Sequence, residues 1–148
     1  MASGWNATAG ASDPNSAARD LQGTWQVQVV QVNCLTGATV GLPFSSLLTF
    51  ARGGTMTETT DNSMFYPAVR EPGLGVWHRL HGNTYYAASM AFITLNGVLA
   101  KTQKISQTIE VGPGPDEFNT TQAAVQFFDP AGNLLGAGCA VASGVRFE

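Results

Sequence analysis

From residue 23 onward the chain alternates apolar and polar positions in short runs, cut by turns rich in glycine, asparagine and proline. A period of two marks a strand with one covered face, and the turn residues divide the chain into hairpin-sized pieces. The first strand is expected over Gly23 to Cys34, with Trp25, Val27 and Val29 on one face and Gln26 and Gln28 on the other. Further strands are expected over Phe44 to Ala51, Thr55 to Thr60, Gly75 to Leu80, Thr84 to Leu95, Leu99 to Val111, Glu117 to Phe128 and Leu134 to Phe147. Gly53-Gly54, Asn96-Gly97 and Asp129-Pro130-Ala131-Gly132-Asn133 supply the turns between them. The longest loop is 61–74, with large apolar side chains and two prolines. Residues 1–20 are small and polar without periodicity and read as a flexible tail or linker, leaving 21–148 as the folded domain.

Eight strands joined mostly by short turns make a meander, and a sheet of that size loses its exposed edges by closing on itself. The expected fold is therefore all-β, a single antiparallel eight-stranded up-and-down barrel behind an N-terminal tail. In such a barrel the last strand runs antiparallel beside the first. Residues facing across that seam then have position numbers with a nearly constant sum. Cys34 and Cys139 sum to 173, and Trp25 and Arg146 to 171, so nearly the same register brings both pairs together. The two cysteines are then a disulfide that staples the last strand to the first, or, in a reducing compartment, two buried thiols.

Gly23-Thr24-Trp25 at the start of the first strand, with Arg146 near the end of the last, resembles the signature of lipocalins and other calycins. The resemblance implies a barrel with the arginine stacked on the indole at one plugged end, and gives Gly23, Trp25 and Arg146 a structural role. The chain departs from lipocalins in its shorter length and in lacking their C-terminal helix and second loop motif. More closely, Asn33-Cys34-x-Thr36-Gly37, Gly53-Gly54-Thr55, Gly73-x-Gly75-Val76-Trp77 and Gly138-Cys139 are similar to a group of small exported bacterial proteins of unknown function. That likeness implies export and the disulfide, and adds no activity.

Composition narrows the function. The chain has 148 residues, of which 44% are hydrophobic and only 11% charged, and its formal net charge is -3. The few basic residues are scattered, which argues against nucleic acid as a partner. No apolar run is long enough for a transmembrane helix. As given, the N-terminus lacks the basic and apolar segments of a secretory signal, so a secreted or periplasmic location is expected from the cysteines and the resemblance.

Apolar walls with a few amides suit a small hydrophobic ligand, although in many eight-stranded barrels large side chains simply fill the interior. The candidate entrance residues are Phe65, Tyr66 and Trp77, with loop 61–74 as a partial lid. Tyr86 and Met90 are candidates for the wall, and Gln103 and Gln107 for hydrogen bonds to the ligand. Over Thr84 to Leu95 both faces are apolar: Tyr86, Met90 and Phe92 on one, Tyr85, Ala91, Ile93 and Leu95 on the other. One of them must be covered by the loop, the tail or another subunit, which raises as an alternative function a structural, self-assembling homo-oligomer packed through the N-terminal tail. Glu58, expected to share the inward face of Met56, is the weak catalytic candidate, with His78, Arg79 and Tyr86 near it in sheet order. It supports a second alternative, a cofactor-free isomerase or cyclase. His78 and His81, taken to share a face of one strand, are the only histidines and lack an evident third ligand, so neither a metal nor a cofactor is expected.

Overall fold

The structure, a computed structural model, describes residues 20–61 and 63–148, the side chain of Gln122 excepted. The expectation of a tail falls almost wholly on residues 1–19, outside the described residues. The described residues form nine strands: β1 (Gly23–Val32), β2 (Thr39–Phe50), β3 (Thr55–Asp61), β4 (Val69–Arg70), β5 (Gly73–His81), β6 (Thr84–Leu95), β7 (Val98–Val111), β8 (Glu117–Phe128) and β9 (Leu134–Arg146). All pairings are antiparallel, and no α-helix occurs among the described residues. Eight strands form a continuous ring, β1-β2-β3-β5-β6-β7-β8-β9, which returns to β1 through the β1–β9 ladder. The two-residue β4 lies beside β6, beyond the point where β5 ends its pairing at Met90.

Segment 61–74 is therefore not a bare loop. It holds a 3-10 turn at Ser63–Phe65, then β4, and β5 begins at Gly73. β2 likewise begins at Thr39 rather than Phe44. Val40, Gly41 and Leu42 are exposed there, so burial offers no alternation to read.

The seam between β1 and β9 keeps one register from Trp25↔Arg146 to Val32↔Cys139. Cys34 leaves the ladder two residues past Val32, in a turn where the Asn33 side chain accepts hydrogen bonds from the backbone of Leu35 and Thr36 at 2.8 and 3.0 Å. That turn brings Cys34 within 5.2 Å, Cα to Cα, of Cys139, and the two are bonded as a disulfide.

At the other end of the seam, Trp25 is fully buried and its Nε1 donates to Leu21 O at 2.9 Å. Phe118 lies against it with ring centroids 4.9 Å apart. Gly144 makes room for Phe118, since a Cβ there would lie 2.5 Å from the phenyl ring. The Arg146 guanidinium sits 4.3 Å above the indole and donates to Gln22 O, Asp20 O and Pro115 O. Its Nε also pairs with Asp116 at 2.9 Å. Leu21, Phe50, Met56, Tyr85, Ile109 and Val111 complete the core at this end. The stacked arginine covers the indole and satisfies carbonyls that no strand partner reaches, so one group closes the sheet and plugs its end.

Trp25, Val27 and Val29 face inward on β1 as expected, and the inward side chains are Phe44, Leu48 and Phe50 on β2 and Gln103, Ile109 and Val111 on β7. On β8 the alternation switches. Phe118 and Thr120 are buried before a bulge, and Ala123 is buried after it, so neither parity holds along the whole strand. The β8–β9 turn is held by Asp129, whose carboxylate accepts from the backbone of Asn133 and Ala131 at 2.8 and 2.9 Å. Hydrogen bonds from Asn133 hold that carboxyl below its ordinary range.

The disulfide encloses 105 positions of chain, and a cross-link of that span removes much conformational freedom from the unfolded state. Cys34→Ser/Cys139→Ser is expected to lower unfolding free energy by about 2–5 kcal/mol. Urea titration against the oxidised parent checks this, and equal midpoints would show that the staple adds nothing to a seam already closed.

Candidate functional site

Inside the ring, away from the Trp25 end, lies a cavity of about 440 Å³. That is within the ordinary range of small-molecule sites, about 300–1,000 Å³. Its walls are mainly apolar: Val27 and Val29 from β1, Phe44 and Leu48 from β2, Ile105 from β7, Val125 and Phe127 from β8, and Ala140 and Ala142 from β9. The space exists because β6 and β9 turn small side chains inward. Ala87, Ser89 and Ala91 alternate along β6, and a Cβ added at Gly138 of β9 would meet nothing within 4 Å. Val40 and Met64, both exposed, line the cavity at the disulfide end and mark its opening. A second hollow of about 650 Å³ runs over Gln26, Gln28, Ser45, Leu47 and Thr59. It is larger, but these residues are exposed on the outer face, and it encloses nothing.

One wall of the cavity is polar. The Glu58 and Arg70 side chains are each 4% exposed and form a two-pronged ion pair, Arg70 Nη1 to Glu58 Oε1 at 2.8 Å and Nη2 to Oε2 at 2.5 Å. Arg70 Nε donates to Gln103 Oε1 at 2.6 Å, and Ser89 Oγ reaches Glu58 Oε2 at 3.4 Å. The local sequence explains how the pair forms. Pairing of β4 with Thr94 and Ile93 turns Arg70 inward, and Gly73 leaves space for the carboxylate, because a Cβ there would lie 2.6 Å from Oε2. Farther along β7, Thr120 Oγ1 donates to Gln107 Oε1 at 3.1 Å.

At the opening, Lys101 projects from β7 over two aromatic rings, with Nζ 4.7 Å from the Phe127 centroid and 5.8 Å from that of Phe65. Phe65, from the 3-10 turn, meets Phe127 edge-on at 6.1 Å.

The residues expected to form the site divide accordingly. Phe65, Gln103 and Gln107 line the cavity. Tyr66, adjacent to Phe65, is 85% exposed and outside the lining. Trp77 is not at the entrance. It lies near the plugged end, donating Nε1 to Ala51 O at 2.9 Å with its ring against Phe50 and Tyr85. There Arg79 Nη2 donates to Tyr85 Oη at 2.7 Å, which raises the guanidinium further above its ordinary value.

Tyr86 and Met90 are on the outer face, Met90 being 51% exposed and Tyr86 stacked beside His78 with centroids 5.5 Å apart. On the inward face of β6, Tyr85 and Ile93 are buried toward its two ends and only Ala87, Ser89 and Ala91 lie between them, so Tyr86, Met90 and Phe92 turn outward. Glu58 does face inward, but it does not meet the group expected around it. Its partners are Arg70, Ser89 and Gln103 through Arg70, not His78, Arg79 or Tyr86. Both carboxylate oxygens are taken by the guanidinium, so Glu58 presents no free base to the cavity. His78 and His81 are both exposed, and no group of three His, Cys, Asp or Glu side chains among the described residues is arranged to hold a metal. No helix among the described residues is long and apolar enough to cross a membrane.

Arg70, Ser89 and Lys101 were not singled out by the sequence reading. One signal was available: with so few charges in the chain, a carboxylate placed inside an apolar sheet requires a cation beside it. Nothing in the alternation identified which basic residue that was. Compared with known protein families, characterised proteins and solved structures, the chain has no match.

Removing one partner of a buried ion pair leaves an uncompensated charge, whereas removing both does not. Arg70→Met is expected to cost about 3–5 kcal/mol of stability, and adding Glu58→Gln should recover most of that loss. Chemical unfolding of the two single variants and the double variant measures the coupling. Additive losses would show that the pair is not energetically linked.

Proposed function

We propose that the ring is a lipocalin-like barrel that binds a small hydrophobic molecule in its interior. The observation that carries this reading is the apolar cavity of about 440 Å³ between the plugged Trp25 end and the opening at Val40, Met64 and Lys101. Large side chains fill the ring at one end only, and small residues on β6 and β9 leave the other hollow. The ion pair and its amide partner form a structural polar wall whose hydrogen bonds are largely internal, so the apolar surface dominates recognition. A disulfide-bonded cysteine pair is compatible with an extracellular or periplasmic location, and we assign the protein there.

A second reading, self-assembly, is favoured by one observation. Leu74, Val76, Met90 and Phe92 are exposed on neighbouring positions of the outer faces of β5 and β6. An isomerase or cyclase working through Glu58 has less support, because that carboxylate is engaged by Arg70.

The neutral fluorescent probe N-phenyl-1-naphthylamine tests the first reading. The parent protein should bind one equivalent with blue-shifted, enhanced emission. Gly138→Phe, which directs a ring into the open space at that position, should abolish the signal, while Gly138→Ala retains it. Thermal unfolding and circular dichroism establish that both variants fold. Undiminished probe binding by folded Gly138→Phe would place the probe elsewhere and remove the cavity as the site.

A further inference from the structure

The charged side chains that line the cavity are Glu58, Arg70 and Lys101, so the cavity carries one net positive charge although the chain as a whole is at -3. Glu58 and Arg70 neutralise each other through two short hydrogen bonds, and Gln103 takes the remaining Arg70 Nε. The surplus charge therefore belongs to Lys101. Among the described residues no carboxylate lies within ion-pair distance of it. Its ammonium is instead held against the faces of Phe127 and Phe65, at the rim where the apolar walls end.

An ammonium at the mouth of an apolar pocket, with no carboxylate beside it, is a ready partner for an anion, since ring quadrupoles satisfy a cation only in part. The ammonium lies over the faces of both rings at the opening. A cation fixed at the mouth of an apolar pocket matches a molecule with an apolar body and one negative end.

We propose that the occupant is an anionic amphiphile, its hydrocarbon portion in the Val- and Phe-lined interior and its carboxylate, sulfate or phosphate monoester head on Lys101. This rests on the binding reading above and adds the charge and direction of the ligand: the tail enters first, and the head stays at the disulfide end. Arg70, deeper in the cavity, is already paired and takes no part in holding the head.

Displacement of N-phenyl-1-naphthylamine by dodecanoate, dodecyl sulfate, dodecyl phosphate, methyl dodecanoate and dodecyltrimethylammonium, each below its micelle concentration, tests this. The anionic ligands should compete about tenfold better than the methyl ester, the worth of one charge-assisted contact at a partly buried site, and the cationic ligand worse than the ester. The order among the three anions identifies the head. Raising the salt concentration should narrow the gap between anions and ester. Lys101→Met should bring the dodecanoate-to-ester ratio to about one, and Lys101→Arg should keep it near ten. Equal competition by acid and ester in the parent, or an unchanged ratio in Lys101→Met, would overturn the proposal while leaving an apolar binding site in place. Failure of the probe and every ligand to bind would instead remove the binding reading itself.

Discussion

Closure of β9 onto β1 is the constraint on which the rest of the structure depends. A meander of eight strands has two edges with unpaired backbone groups, and no inside until those edges meet. Here the meeting is fixed at both ends of one ladder. Arg146 stacks on Trp25 and ties carbonyls of the segment before β1 and of the β7–β8 turn to itself. The Cys34–Cys139 bond holds the opposite end of the same seam. The two devices act differently. The arginine plugs its end with a packed core of aromatic and aliphatic side chains, whereas the disulfide fixes its end without filling it. The cavity lies at the end that is pinned but not plugged.

That division shows in the strand sequences. Where β6 and β7 pass the Trp25 end they turn Tyr85, Ile109 and Val111 inward. Farther along, β6 gives the cavity wall Ser89, while β9 gives it Gly138 and Ala140. A cavity is stable only if its walls lose little by lacking contacts on one side, and small residues in rigid, fully paired strands meet that need. The Glu58–Arg70 pair serves the same end. A lone carboxylate facing an apolar space would be costly, and the two-pronged arginine satisfies it without adding bulk.

Much of the fold was legible in the chain. Alternation marks the strands of the ring and the inward face of β1, and the two position sums locate the seam. Their small disagreement is physical: Cys34 sits in a turn two residues past the ladder, so it reaches Cys139 by curving back rather than by pairing. The site was less legible. On β6 both faces are apolar, and hydrophobicity alone chose the bulkier one for the interior. The structure takes the smaller one, because the interior at that level is defined by the space it keeps. Trp77 is expected at the entrance and lies at the plugged end, because a β5 residue's height in the ring is set by register with β3 and β6, which no local pattern carries. Arg70 and Lys101 act through partners far away in sequence, and single charges in loops and strand ends leave no periodic trace.

The most direct test of a ring that holds a small molecule is native mass spectrometry of the protein isolated from its natural source without reductant, followed by its denatured mass. The account predicts a monomer carrying one small molecule, with a chain mass lower than the reduced sequence by the two hydrogens that a disulfide removes. An empty oligomer, or a monomer that carries nothing under conditions where its fold and disulfide are intact, would contradict it.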